Sequence, residues 1–281
     1  MAVALSDFYT IQFINWNHDG SILDLGFYDL RWYSLLFAMG FVLSFILIKR
    51  QFKLEQVPEE KLDILLIYIF FATILGARLG HCMFYEFDYY SQNPAEIFLP
   101  VRFFPEFELT GFRGLASHGG AIGILIAVLI YSKTQKMNAL WVLDKLALVI
   151  PLAAGCIRVG NLFNSEMIGN PTAVPWAFVF ENVDTLPRHP GQLYEAIAYF
   201  SIFLFLNLIS MNVKRENGNM FGLFLVLMFS ARFILEFFKI NQVSFESGMA
   251  MNMGQILSLP FIIAGFILMV RKHKMDKVVS S

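Results

Sequence analysis

Charged and hydrogen-bonding residues stand inside or beside long apolar runs of this 281-residue chain. Arg78, Arg158 and Arg232 with Glu236 lie within such runs, and Tyr33, His118, Glu166, His189 and Glu195 lie close to their ends. A charge at the centre of a bilayer costs at least ~2.5–3.5 kcal/mol, so residues of this kind pair or line a cavity. Arginine offers a planar fork that matches two oxygens of a phosphate or carboxylate. A histidine nearby can take up a proton around neutral pH. Spacing groups the residues further. Arg232, Glu236 and Lys239 fall at i, i+4 and i+7 on one helix face, and Arg78, His81 and Cys82 share another. Arg158, Asn161 and Ser165 share a third if the helix continues that far. The run Ser117-His118-Gly119-Gly120-Ala121-Ile122-Gly123 opens a helix with small residues, whose free N–H groups can hold an anion beside His118.

Such chemistry needs elements to position it. Hydrophobic residues make up 57% of the chain and charged residues 15%, against about 25% charged in a soluble domain. At a mean hydropathy of +0.59 the polar surface is too small to cover a globule in water. A net charge of -1 excludes a basic nucleic-acid footprint, so no nucleic-acid partner is expected. Cys82 and Cys156 both lie in apolar runs, which excludes a disulfide framework. The chain reads as an all-α integral membrane protein, a single polytopic domain over residues 1–281. About seven transmembrane helices are predicted at 32–50, 64–84, 115–132, 141–162, 192–210, 220–239 and 254–271, each near the ~20 residues that a bilayer core requires. Pro260 predicts a kink in the last. No cleavable signal peptide is expected in residues 1–31. The connections at about 85–114 and 163–191 are polar and aromatic, and predict small folded caps.

Lysine and arginine counts in the connections set the orientation. Lys49, Arg50, Lys53, Lys61, Lys133, Lys136, Lys214, Arg215, Arg271, Lys272, Lys274 and Lys277 fall on one side. Arg31, Arg102, Arg113 and Arg188 fall on the other, with Lys239 at a boundary. This predicts an N-terminus outside, a C-terminus in the cytoplasm and both long connections outside. Every polar residue singled out above then lies in the outer half of the membrane, which predicts one polar chamber open to the outer face. Plainer readings stand beside it: a structural ion pair for Arg232 with Glu236, an interfacial anchor for Arg78, helix packing for the glycines after His118. No group of Cys, His and carboxylates has metal-ligand spacing, and there is no nucleotide loop, so neither metal nor cofactor is expected. The residues alone lead to an enzyme or a carrier that handles an anionic lipid from the outer face.

The stretch Gly155-Cys156-Ile157-Arg158-Val159-Gly160-Asn161-Leu162-Phe163-Asn164-Ser165-Glu166-Met167-Ile168-Gly169 resembles the signature of bacterial prolipoprotein diacylglyceryl transferases. Their pattern reads Gly-Arg-x-Gly-Asn-Phe-x-Asn-x-Glu-x-x-Gly, matched here at Arg158, Gly160, Asn161, Asn164, Glu166 and Gly169. Ile157 and Leu162 replace the usual Gly and Phe. Further segments agree in order: Arg31-Trp32-Tyr33, Gly76-Ala77-Arg78-Leu79-Gly80, His118-Gly119-Gly120, Arg188-His189-Pro190 with Gln192-Leu193-Tyr194-Glu195, Arg232-Phe233 with Glu236-Phe237, and Met253-Gly254-Gln255. One stretch departs. Lys239-Ile240-Asn241-Gln242 stands where the family tends to have Arg, an acidic or amide residue, Pro and Asp.

The resemblance implies transfer of the diacylglyceryl group of phosphatidylglycerol to the lipobox cysteine of a preprolipoprotein signal peptide, at the bacterial inner membrane. It implies phosphate binding by Arg158, headgroup orientation by Asn161, and a second cation at Arg232 held by Glu236. His118 is then the candidate base for the thiol. Tyr33 and Glu166 position substrate or Arg158, Gly169 permits close backbone approach, and Arg78 and Glu195 stand behind these. A non-enzymatic lipid carrier and a different headgroup transferase remain as alternatives.

Overall fold

The computed structural model describes residues 13–26, 29–99, 101–103, 107–109, 114, 116–212, 216–240 and 248–271. Arg113, Lys214, Arg215, Asn241, Gln242, Lys272, Lys274 and Lys277 lie outside the described residues. Helices are α1 (Trp32–Leu54), α2 (Glu59–Phe84), α3 (Phe87–Gln92), α4 (Ala95–Phe98), α5 (Ser117–Thr134), α6 (Ala139–Ala147), α7 (Ile150–Phe163), α8 (Gly191–Asn212), α9 (Asn219–Leu235) and α10 (Met253–Val270). Each predicted span overlaps one or two of these helices. Five helical segments, Trp32–Leu54, Glu59–Phe84, Gly191–Met211, Asn219–Phe238 and Met253–Val270, are long and apolar enough to cross a membrane. The bent pair α6–α7 makes a sixth if it counts as one span, and the apolar stretch His118–Thr134 is shorter. Leu35, Phe37, Val42 and Ile46 of α1 and Ile67, Phe70 and Phe71 of α2 are exposed, as lipid-facing residues must be. The chain is a helical, multi-pass membrane protein.

The packing forms two compact units, one from Met1–Ile48 with Asp144–Lys274, the other chiefly from Lys49–Leu143. In the first, α8 packs between α7 and α9, and α9 packs on α10. Leu148, Tyr199, Ile202, Leu206, Met220 and Phe224 form its apolar core. The predicted continuous span 141–162 is in fact broken, with a bend of 40° between α6 and α7. Pro151, in the first turn of α7, has no N–H and crowds the preceding carbonyls, which favours a helix start there. The break survives because side chains take up its carbonyls, as a membrane interior requires. Asn207 Nδ2 donates to Leu148 O at 2.9 Å, and Ser44 Oγ to Val149 O at 3.3 Å. Asp144 accepts from the N–H groups of Gly218 and Phe221, both at 2.7 Å, and so caps α9. By contrast α10 runs unbroken through Pro260. Its start is a capping box, Asn252 with Gln255.

Short strands, which the sequence reading did not anticipate, build the cap of this unit. β1 (Ile14–Trp16), β6 (Phe178–Phe180) and β7 (Pro187–Arg188) form a sheet in the order β1-β6-β7, with β1 parallel to β6 and Asn15 opposite Val179. β2 (Ser21–Asp24) and β3 (Asp29–Arg31) pair antiparallel and lead into α1. Trp16 Nε1 donates to Leu162 O at 3.0 Å, which ties the sheet to the end of α7.

In the second unit α2 packs along α5, and β4 (Val101–Arg102) pairs with β5 (Glu108–Leu109). A Cβ on Gly119 would stand 2.2 Å from Gly76 O, and one on Gly123 2.3 Å from Ala72 O. Only glycine permits that approach. Gly119 and Gly123 are therefore packing residues.

Candidate active site

The sites grow out of the ends of α7, α8 and α9. Arg158, late in α7, is half-buried, and its Nε lies 2.9 Å from Glu195 Oε2. Among the described residues that oxygen has no aligned hydrogen-bond donor, so the contact is one of charge. Glu195 sits near the start of α8 and is completely buried. Its other oxygen, Oε1, accepts from Lys239 Nζ at 2.7 Å and from Tyr199 OH, one turn further along α8, at 3.3 Å. Lys239 Nζ in turn lies 3.3 Å from Glu236 Oε2. Two cations and two carboxylates thus form one chain: Arg158, Glu195, Lys239, Glu236.

This corrects the pairing expected for Glu236. Its partner is Lys239, and the Arg232 side chain makes no hydrogen bond or ion pair among the described residues. The reason is local. α9 ends at Leu235 and the chain tightens into a 3₁₀ turn, Glu236–Phe238. A 3₁₀ turn eclipses residues i and i+3, which sets Glu236 beside Lys239 instead of Arg232. The i, i+3 spacing of Glu236 and Lys239 was the available signal.

A second branch leaves Arg158 through its other end. Nη1 donates to Asn161 Oδ1 at 3.3 Å, and Asn161 Nδ2 donates to Glu166 Oε2 at 2.9 Å. α7 stops at Phe163 and Ser165 has a φ of +54°, so Ser165 does not share the helix face expected for it. The turn instead brings Glu166 back over Asn161, with Glu166 N–H donating to Asn161 O at 3.0 Å. Gln192, fully buried, donates to Glu166 O from its side chain. Tyr33 packs its ring against Gly160 of α7, within electrostatic reach of Glu166 and Arg158.

Gly169 lies where two backbone segments converge. Its N–H donates to His189 O at 2.9 Å, and it bridges to Lys239. A Cβ there would stand 2.5 Å from His189 O and 2.6 Å from Phe238 O. Arg188 holds the same turn, reaching Asp184 from Nε at 3.1 Å to each oxygen and Gly169 O from Nη1 at 3.3 Å. That guanidinium keeps the Asp184 carboxyl below its ordinary pKa. Trp176 Nε1, a donor only, gives its proton to Tyr194 OH at 2.7 Å. The same hydroxyl lies 3.1 Å from His189 Nδ1. Burial lowers the His189 pKa.

Arg78 and His118 belong to the second unit. Arg78 is buried and committed to the protein. Nη2 donates to Glu96 O at 2.7 Å, Nε to Ile97 O at 3.1 Å, and the guanidinium lies over the Tyr90 ring at 4.8 Å. The Glu96 carboxylate accepts from Tyr89 OH and from Phe103 N–H, both at 2.7 Å. His118 is exposed in the first turn of α5.

These features define a class: a multi-pass helical membrane protein with a buried charge chain that ends in a partly exposed arginine. The family model for prolipoprotein diacylglyceryl transferase matches residues 21–271. A phosphatidylglycerol–prolipoprotein diacylglyceryl transferase of Bacteroides fragilis is 46% identical over 260 residues, covering 91% of this chain and 94% of its own. One from Tolumonas auensis is 45% identical over 261 residues, covering 92% and 97%. One from Chloroherpeton thalassium is 44% identical over 268 residues, covering 94% and 96%. The chain belongs to the prolipoprotein diacylglyceryl transferase family.

Proposed function

We propose that the protein transfers the diacylglyceryl group of phosphatidylglycerol to the thiol of a preprolipoprotein lipobox cysteine. The observation that carries this reading is family membership along residues 21–271. In the reaction a sulfur–carbon bond forms at the diacylglyceryl carbon and the carbon–oxygen bond to the phosphate breaks. Glycerol phosphate leaves with the electron pair, and the thiol proton passes to a base.

The chain's own residues match these needs. Arg158 binds the phosphate through N–H groups beyond those facing Glu195 and Asn161, and stabilises the charge that grows there. Arg232 is the second cation. Asn161 orients the headgroup, Glu166 and Tyr33 position Asn161 and Arg158, and Gly169 lets backbone come close. Glu236 serves by holding Lys239. His118 takes the thiol proton, raising the thiolate fraction of a group with a reference pKa of about 8.5. The protein lies in the bacterial inner membrane with seven spans, counting α6–α7 as one and α5 as another. Its N-terminus and site face outward and its C-terminus is cytoplasmic, as the basic residues direct.

The test is purified protein with phosphatidylglycerol and a lipobox peptide, read by mass spectrometry. A peptide carrying one diacylglyceryl group, with glycerol phosphate released, is the expected result. Lipid binding without a covalent product would make the protein a carrier. Reporters after Lys272 and near Pro94 should register as cytoplasmic and extracytoplasmic, and the reverse pattern would overturn the orientation.

A further inference from the structure

We infer that Glu195 is a positioning residue of the transfer: one buried carboxylate sets both Arg158 and Lys239, and so decides which edge of Arg158 meets the departing phosphate. This rests on the transferase reading above. The Glu195 side chain is 1% exposed and that of Arg158 is 19% exposed, so a ligand can reach the arginine and not the glutamate. Glu195 divides its oxygens between two cations, Oε2 toward Arg158 Nε and Oε1 toward Lys239 Nζ. With Asn161 at Nη1, the guanidinium is held at two of its three nitrogens. Its plane is thereby set, and N–H groups at the outer edge remain for an oxyanion. A donor set in advance needs no rearrangement when charge develops on the leaving oxygen.

Glu195 also imposes a cost on the resting lipid, because a carboxylate beside Arg158 weakens the local positive potential. Removing that charge while keeping the shape should therefore leave lipid binding intact or tighter, yet slow the chemistry. This split separates positioning from plain structural support. The pair is a contact of charge rather than an aligned hydrogen bond, which makes Glu195→Gln the discriminating variant.

The experiment measures kcat and KM for phosphatidylglycerol in Glu195→Gln, Arg158→Lys and the double variant, each checked for monodispersity and thermal melting. Glu195→Gln should lower kcat tenfold or more, about 1.4 kcal/mol in the barrier, with KM unchanged or lower. The double variant should lose little beyond Arg158→Lys alone, because both changes act through one contact. Wild-type kcat in folded Glu195→Gln, a raised KM with kcat preserved, or losses that multiply in the double variant would each overturn the proposal. If Glu195→Gln does not fold, Glu195→Asp keeps the charge on a shorter arm. A lowered kcat at constant KM then supports positioning, and a wild-type kcat refutes it. A wild-type protein that forms no thioether product sinks the transferase reading and this proposal together. An active wild type with an indifferent Glu195 sinks only the latter.

Discussion

Arg78 and Arg158 are the same residue in similar sequence surroundings, each late in an apolar helix and each near small residues. Arg78 spends its N–H groups on the carbonyls of Glu96 and Ile97 and lays its plane on Tyr90. It fastens a short helical segment to α2. Arg158 faces a carboxylate and a side-chain amide and stays partly exposed. The comparison teaches that a buried arginine is read by what accepts its protons. Backbone carbonyls close it off, whereas a buried carboxylate can hold one side and leave another for a ligand.

The largest effect expected concerns whether the second unit takes part in the chemistry at all. His118→Gln keeps shape and hydrogen bonding, and should lower transfer by roughly 10²–10⁴-fold if His118 is the base. Lipid binding should survive, and raising the pH should restore part of the rate as more thiol ionises. Normal transfer would remove His118 from the chemistry and leave the second unit without a reacting group, while lost lipid binding would move His118 to the headgroup site.

Next comes the same substitution made in both regions. Arg158→Lys keeps the charge but loses the planar fork, and activity should fall tenfold or more in a protein that still inserts. Arg78→Lys should instead act on stability. It weakens charged hydrogen bonds to two carbonyls, each worth ~1.5–3 kcal/mol, so thermal melting should fall while turnover per folded molecule stays within about twofold. Equal losses of turnover at both positions would erase the distinction drawn between them.

The smallest effect is expected at Asp184. Arg188 depresses its folded-state pKa, so the pair stabilises the fold above the ordinary carboxylate value, about 4, and the benefit disappears as pH falls through the lower folded value. The pair is partly exposed, so Asp184→Asn should cause a small drop in melting temperature at neutral pH that narrows on acidification. A drop that widened in acid would show that Arg188 is not what lowers Asp184.

Much of this was legible from residues alone, because bilayer physics writes in long runs. Apolar stretches of spanning length announced the helices, and polar residues within them, Arg158 and Glu236 among them, announced a site. The signature around Arg158 named the family. Local backbone events were harder to read. Pro260 predicted a kink and nothing marked Pro151, yet α10 is continuous through its proline and the helix breaks and bends between α6 and α7. The difference lies in remote partners, Asn207 and Ser44, which a linear reading cannot pair with Leu148 and Val149.

Partner choice among charges was decided only by the fold. Helical spacing pointed Glu236 at Arg232, and a single 3₁₀ turn gave it to Lys239. Glu195, at the start of a span, gave no sign that it would join two cations from other elements. The sequence by itself determined which residues are too polar for lipid, since that depends on each residue's own solvation. Which of them neutralise each other depends on distances of a few ångström between segments far apart in the chain, and only the tertiary structure decides those.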